Sequence, residues 1–214
     1  SWRVVADDVI PNGLGGNRTG VSDPLVVATD AGFTMFYAAR SGGGVVRMRR
    51  ANSTDGLNFT PSGSDLLDSE EDWDSLEQLP HFLEVIPSGV RLWYAGYDGG
   101  RFRIGTATAN DPDGRFAPEP SEFQSWTFGT GLPGSFDDSG VKDPVLALDA
   151  SGVPHLFYSG FDGDIWHMGH ALFDGSEWTR DVDEDTDESI PCMVGVSLTI
   201  SGGGVQSLVA YARN

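Results

Sequence analysis

One phrase recurs along this chain and limits what it can fold into. Asp23-Pro24 is followed by Met35-Phe36-Tyr37-Ala38, Leu79-Pro80 by Leu92-Trp93-Tyr94-Ala95-Gly96, and Asp143-Pro144 by Leu156-Phe157-Tyr158-Ser159-Gly160. The proline-to-tyrosine interval is 13, 14 and 14 residues, and a looser fourth copy runs from Pro191 to Tyr211. Successive prolines stand 56, 64 and 47 residues apart. Repetition at that period marks supersecondary units that bury their faces only by stacking on one another, here the blades of a propeller. The expected fold is therefore all-β: a β-propeller of four-stranded antiparallel blades, forming a single domain over residues 1–214.

Within each copy, apolar runs bounded by turn residues give the strands. In the third copy these are 143–149, 154–160, 165–173 and 177–182, separated by Ala150-Ser151-Gly152, Asp162-Gly163 and Asp174-Gly175. Asp-Gly pairs suit tight hairpins because such turns require positive φ. The first copy predicts strands at 24–29, 33–39, 45–51 and 58–61. The second predicts 81–86, 90–97 and 102–109, with an irregular tail through Trp126. The fourth supplies 193–200 and 205–211, and Trp2 to Val9 reads as a lone strand ahead of the first copy. The last blade is thus unfinished. Either the Trp2–Ala6 segment completes it, another chain pairs with its open edge, or the chain is part of a longer protein.

Charge narrows the partners. With 32 acidic against 13 basic residues the formal net charge is −19, a field that repels nucleic acid and anionic membranes. No apolar run approaches the length that spans a bilayer. The single Cys192 rules out a disulfide within the chain. The four histidines are scattered over three strands, and His167 and His170, which share one, fall on its opposite faces, so no transition-metal site is expected. No other cofactor is implied, although abundant carboxylates leave room for a calcium ion in an axial channel. Asp181, Asp183, Asp185 and Asp187 alternate faintly like a calcium loop but lack its glycine, which favours a solvated acidic loop.

The Asp-Pro openings, the Phe-Tyr-Ser-Gly strand and the phrase Ala51-Asn52-Ser53-Thr54-Asp55-Gly56-Leu57-Asn58-Phe59 resemble a known family over about residues 20–212. It is that of the five-bladed propeller glycoside hydrolases of the arabinanase, levansucrase and invertase type (families 43 and 32), with the mannoside phosphorylases nearby. The resemblance implies three carboxylates at the propeller axis in the chain order Asp, Asp, Glu. By motif these are Asp23 as base or nucleophile, Asp143 as the residue that tunes and orients, and Glu188 as general acid. Glu188 stands three residues before Pro191, further than the pattern asks, and Glu77 stands equally far before Pro80 as a rival. It also implies a carbohydrate partner and a secreted, periplasmic or cell-surface location.

The chemistry is coherent, because cleaving a glycosidic bond takes one carboxylic acid and one carboxylate on opposite faces of the sugar. Asp before Pro has a plainer use as well, accepting backbone N–H bonds to fix a turn. His81, next to Pro80, is placed to meet a sugar hydroxyl, and Trp73 and Trp126 are the loop aromatics on which a sugar ring could stack. Phe36, Trp93 and Phe157 read instead as packing between blades. Two functions are consistent with these residues: a glycoside hydrolase-like enzyme, and a non-catalytic propeller module that binds glycan or protein.

Overall fold

The computed structural model describes residues 9–10, 18–67, 72–119, 126–181, 193–200 and 205–212. Within them lie three four-stranded antiparallel blades, the first two joined by a parallel bridge at Val46↔Glu77, and a two-stranded hairpin. The first blade is β1 (Arg18–Thr29), β2 (Gly32–Ser41), β3 (Val46–Ser53) and β4 (Thr60–Asp65). The second is β5 (Glu77–Ile86), β6 (Gly89–Tyr97), β7 (Phe102–Ala109) and the short β8 (Ala117–Pro118). The third is β9 (Gly140–Leu148), β10 (Pro154–Phe161), β11 (Trp166–Phe173) and β12 (Trp178–Arg180), and the hairpin is β13 (Met193–Ile200) with β14 (Val205–Ala212). This is the propeller architecture that the repeat implies. The expected strand at 2–9, Cys192 and the acidic stretch after Asp181 lie outside the described residues, apart from Val9.

Successive residues of the second strand of each blade face opposite neighbours. Phe36 packs with Leu92, Tyr94 and Phe116 between the first and second blades. Trp93 packs with Ile104, Leu146, Leu156 and Tyr158 between the second and third. Phe36 and Trp93 are 0% and 4% exposed, as interblade filling requires. Phe157 is half-buried and stacks on His170 at 4.7 Å.

The tyrosines of the second and third blades serve a further contact. Tyr94 OH donates to Asp74 Oδ2 at 3.1 Å, and Tyr158 OH donates to Asp137 Oδ2 at 2.8 Å. Both aspartates are fully buried, in the connections that lead into β5 and β9. The aromatic residue just before each one covers a strand glycine: Trp73 lies over Gly96 and Gly105, and Phe136 lies over Gly160. A Cβ at Gly96 would meet the Trp73 ring at 2.3 Å, so the close approach needs glycine there. Burial and the Asp137 carboxylate both push the Tyr158 phenol far above its ordinary pKa, keeping it a donor. Trp73 is 4% exposed and belongs to this core, which corrects its expected role as a sugar platform.

Much of the acidity is turn chemistry. Asp98, Asp162 and Asp174 each accept two backbone N–H bonds within a hairpin turn. Those bonds favour the ionised form, and Asp162 falls to about 2.

The inner strands begin earlier than expected, and the Asp-Pro pairs lie within them as one-residue bulges. Asp23-Pro24 opposes Tyr37 between the pairs Ser22↔Ala38 and Leu25↔Phe36. Asp143-Pro144 opposes Tyr158 between Lys142↔Ser159 and Val145↔Phe157. In the second blade the register passes from Pro80↔Tyr94 to Phe82↔Trp93. Pro80 therefore takes the place of Asp23, and His81 that of Pro24. In β13 the same shift lies between Met193↔Ala212 and Val196↔Ala210, so Val194 occupies the aspartate's place. Aligning the copies by proline, as the sequence suggests, is off by one residue at Pro80.

Candidate functional site on the propeller axis

The inner strands β1, β5 and β9 are neighbours, and their bulges aim three side chains at one place. Two of them pay a conformational cost to do so. Asp23 and Asp143 have φ of 52° and 56°, and among the described residues only these two non-glycine residues have positive φ. The left-handed region costs an ordinary L-residue roughly 1–2 kcal/mol, and a following proline ordinarily favours extended backbone. Strain of this kind at two equivalent positions points to function, because such outliers gather where geometry is used.

The third side chain is His81. Its Nε2 lies 3.6 Å from Asp143 Oδ1, too far for a hydrogen bond. That nitrogen is buried and has no hydrogen-bond partner among the described residues. The side chain is 13% exposed and that of Asp143 is 20% exposed. Burial drives the His81 pKa down, while the Asp143 and Asp23 carboxylates oppose this more weakly and Lys142 reinforces it. Asp23 Oδ2 accepts a 2.6 Å bond from Ser22 Oγ, and Lys142 Nζ stands 3.8 Å from Asp143 Oδ2. Neither aspartate accepts a backbone N–H bond among the described residues, so fixing a turn does not explain them.

The depressed pKa of His81 has a measurable consequence. Below about pH 6.5 the unfolded chain binds a proton at this position that the folded chain resists, so the residue costs stability as pH falls. His81→Asn is therefore expected to lose less stability than the wild type between about pH 7.5 and pH 5 in urea unfolding. An equal loss in both proteins would show that folding does not disfavour the imidazolium.

Of the other expected site residues, Glu77 and Trp126 are held by other contacts. Glu77 opens β5, but its carboxylate is bound by Arg40 Nη2 at 3.0 Å. No hydrogen bond or ion pair joins it to His81 or Asp143 among the described residues. Trp126 is half-buried against the core between the first two blades, with the Arg103 guanidinium 4.6 Å from its ring centroid. Glu188 lies outside the described residues. Among the described residues no three His, Cys, Asp or Glu side chains form a group able to hold a metal ion. A separate depression of about 490 Å3 lies at the β1–β2 turn among Phe33, Thr34, Asn52 and Asp113, and contains none of the expected site residues.

Sequence reasoning passed over Lys142 and the two rings that hold it, Trp166 at 4.3 Å and Phe102 at 5.7 Å from Nζ. The available signal was its rarity: it is the only lysine in the chain. No helix is long and apolar enough to cross a membrane among the described residues.

No family model matches the chain, and no curated protein matches it. Solved structures do. A glycoside hydrolase superposes with a TM-score of 0.64 at 14% identity, over 86% of this chain and 63% of its own. A family 117 glycoside hydrolase, Zg3597 of the marine bacterium Zobellia galactanivorans, gives 0.63 at 18% identity, over 85% of this chain and 60% of its own. A thermostable family-43 glycoside hydrolase gives 0.55 at 17% identity, over 83% and 57%. The chain has the fold of the propeller glycoside hydrolases and spans less than two thirds of the length of these neighbours.

Proposed function

We propose that the axial site binds the sugar units of a poly- or oligosaccharide and hydrolyses a glycosidic bond. The observation that carries this reading is the pair of strained aspartates, Asp23 and Asp143, which hold carboxylates beside a buried imidazole nitrogen that lacks a partner. Sugar hydroxyls both donate and accept, so one ring can satisfy carboxylates and imidazole together. Asp23 acts as base or nucleophile and Asp143 orients the sugar, with Glu188 as the proton donor. The proteins whose fold this chain shares are glycoside hydrolases, which supports carbohydrate as the ligand class.

A second reading is favoured by one count. Glu188 stands six residues before Val194, as Asp74 stands before Pro80 and Asp137 before Asp143. If Glu188 corresponds to those buried aspartates, the acid is missing and the propeller binds glycan without cutting it.

The two readings are separated by incubating the protein with arabinan, fructan and mannan oligosaccharides and measuring both cleavage and binding. Hydrolysis requires cleavage that Asp23→Asn lowers by about 100-fold or more and Glu188→Gln lowers comparably. Binding without cleavage, lost in Asp143→Asn and His81→Asn, selects the second reading. A protein that neither binds nor cleaves any of these glycans overturns both.

A further inference from the structure

Lys142 is surrounded in a way that its charge alone does not require. Its ammonium is held on Trp166 of β11 and Phe102 of β7, from two different blades, with centroid distances of 4.3 Å and 5.7 Å. Trp166 is itself stacked on Phe161 at 4.8 Å, and Phe102 on Tyr97 at 4.5 Å. Rings backed by rings make a rigid slot, and a cation over such faces is stabilised by about 0.5–2 kcal/mol. The Nζ makes no hydrogen bond among the described residues, and the side chain is 28% exposed. The chain thus keeps its one lysine at a fixed point beside Asp143.

The charges facing His81 explain what such a cation does. Asp23 approaches from β1, and Asp143 with Lys142 from β9. Further along, Glu84 of β5 and Arg91 of β6 pair with each other at 3.2 Å. Two carboxylates beside an imidazole ordinarily draw a proton onto it. The resulting imidazolium would close the 3.6 Å gap to Asp143 as an ion pair, and a ligand hydroxyl would then have to break that pair.

We propose that Lys142 is a positioning residue for the axial site: clamped between the second and third blades 3.8 Å from Asp143, its ammonium competes with His81 for that carboxylate and so leaves Nε2, 3.6 Å from Asp143, open to a sugar hydroxyl. Burial acts in the same direction, and the lysine offsets part of the pull of the two carboxylates. The role as a ligand-binding site rests on the glycan reading above, whereas the effect on His81 protonation does not.

The test is an NMR titration of the imidazole nitrogens of the full chain, with His81→Asn to assign the resonance. Lys142→Met is expected to raise the His81 midpoint by about 0.5 pH unit or more, because a repelling cation is gone. Lys142→Arg is expected to retain the wild-type midpoint. Trp166→Leu, which keeps the lysine but frees it into water, is expected to move the midpoint part of the way and serves if the Met variant does not fold. A midpoint unchanged in Lys142→Met, or in Trp166→Leu where Met does not fold, overturns the proposal. Adding the oligosaccharides above to the wild type then tests the ligand separately. An Nε2 resonance that no sugar perturbs removes the glycan reading and leaves the lysine effect standing.

Discussion

Asp137→Ala is expected to lower the free energy of unfolding by about 3–5 kcal/mol, among the largest effects available in this chain. Arg180 Nε donates to Asp137 Oδ2 at 2.6 Å, Tyr158 OH donates to the same oxygen, and Ser135 Oγ donates to Oδ1 at 2.8 Å. Removing the carboxylate leaves a guanidinium against the Phe128 ring, 4.4 Å from its centroid, without its counter-ion, and a buried phenol without its acceptor. Tyr158→Phe removes one bond and is expected to cost about 1–2 kcal/mol. Denaturant unfolding of the two variants measures the difference. Equal losses would show that the ion pair adds nothing beyond the tyrosine contact.

Trp73→Ala should be nearly as damaging, at about 3–5 kcal/mol, because it empties the space above Gly96 and Gly105 and exposes Tyr94, whose ring lies 5.3 Å from that of Trp73. Its effect on glycan affinity should be no more than the loss of folded protein explains. Calorimetric binding at a temperature where the variant remains folded separates the two. Weakened binding by fully folded protein would restore Trp73 to the sugar-stacking role that its sequence position suggests.

The blades were legible because their signals are local: hairpin turns written in Asp and Gly, and an apolar strand carrying Phe or Trp beside Tyr. The alignment of the blades was not. The interval of 14 residues arises in two ways that sequence does not separate. In the second blade the proline stands one place earlier, at the aspartate's position. In the third the β9–β10 connection is longer, with Leu148↔Pro154 as its last pair against Thr29↔Gly32 in the first. Only the hydrogen-bond register tells these apart, and with it the equivalence of His81 to Pro24. Asp23 and Asp143 were legible as a pair, while their left-handed backbone was not, since the Asp-Pro dipeptide ordinarily predicts extended chain. Trp73 reads as an exposed aromatic because it falls in the eleven-residue connection between Asp65 and Glu77, and nothing local shows that two strand glycines make room for it. Lys142 went unnoticed because its rings come from β7 and β11, remote along the chain.

The left-handed aspartates also restrict what substitution and descent can do at these two positions. Asn and Gly accept that backbone readily, whereas Ala and the β-branched residues do not. Alanine scanning here would mix a backbone penalty with any lost chemistry, so the carboxamide is the cleaner probe. The same restriction reaches into evolutionary inference. A lineage that abandons its reaction can shed the chemistry and still retain aspartate, because few other residues fit the bend. Persistence of Asp at 23 and 143 among descendants would then record the shape of a strand, and only the fate of His81 and Lys142, held by no such bend, would record whether the site is still in use.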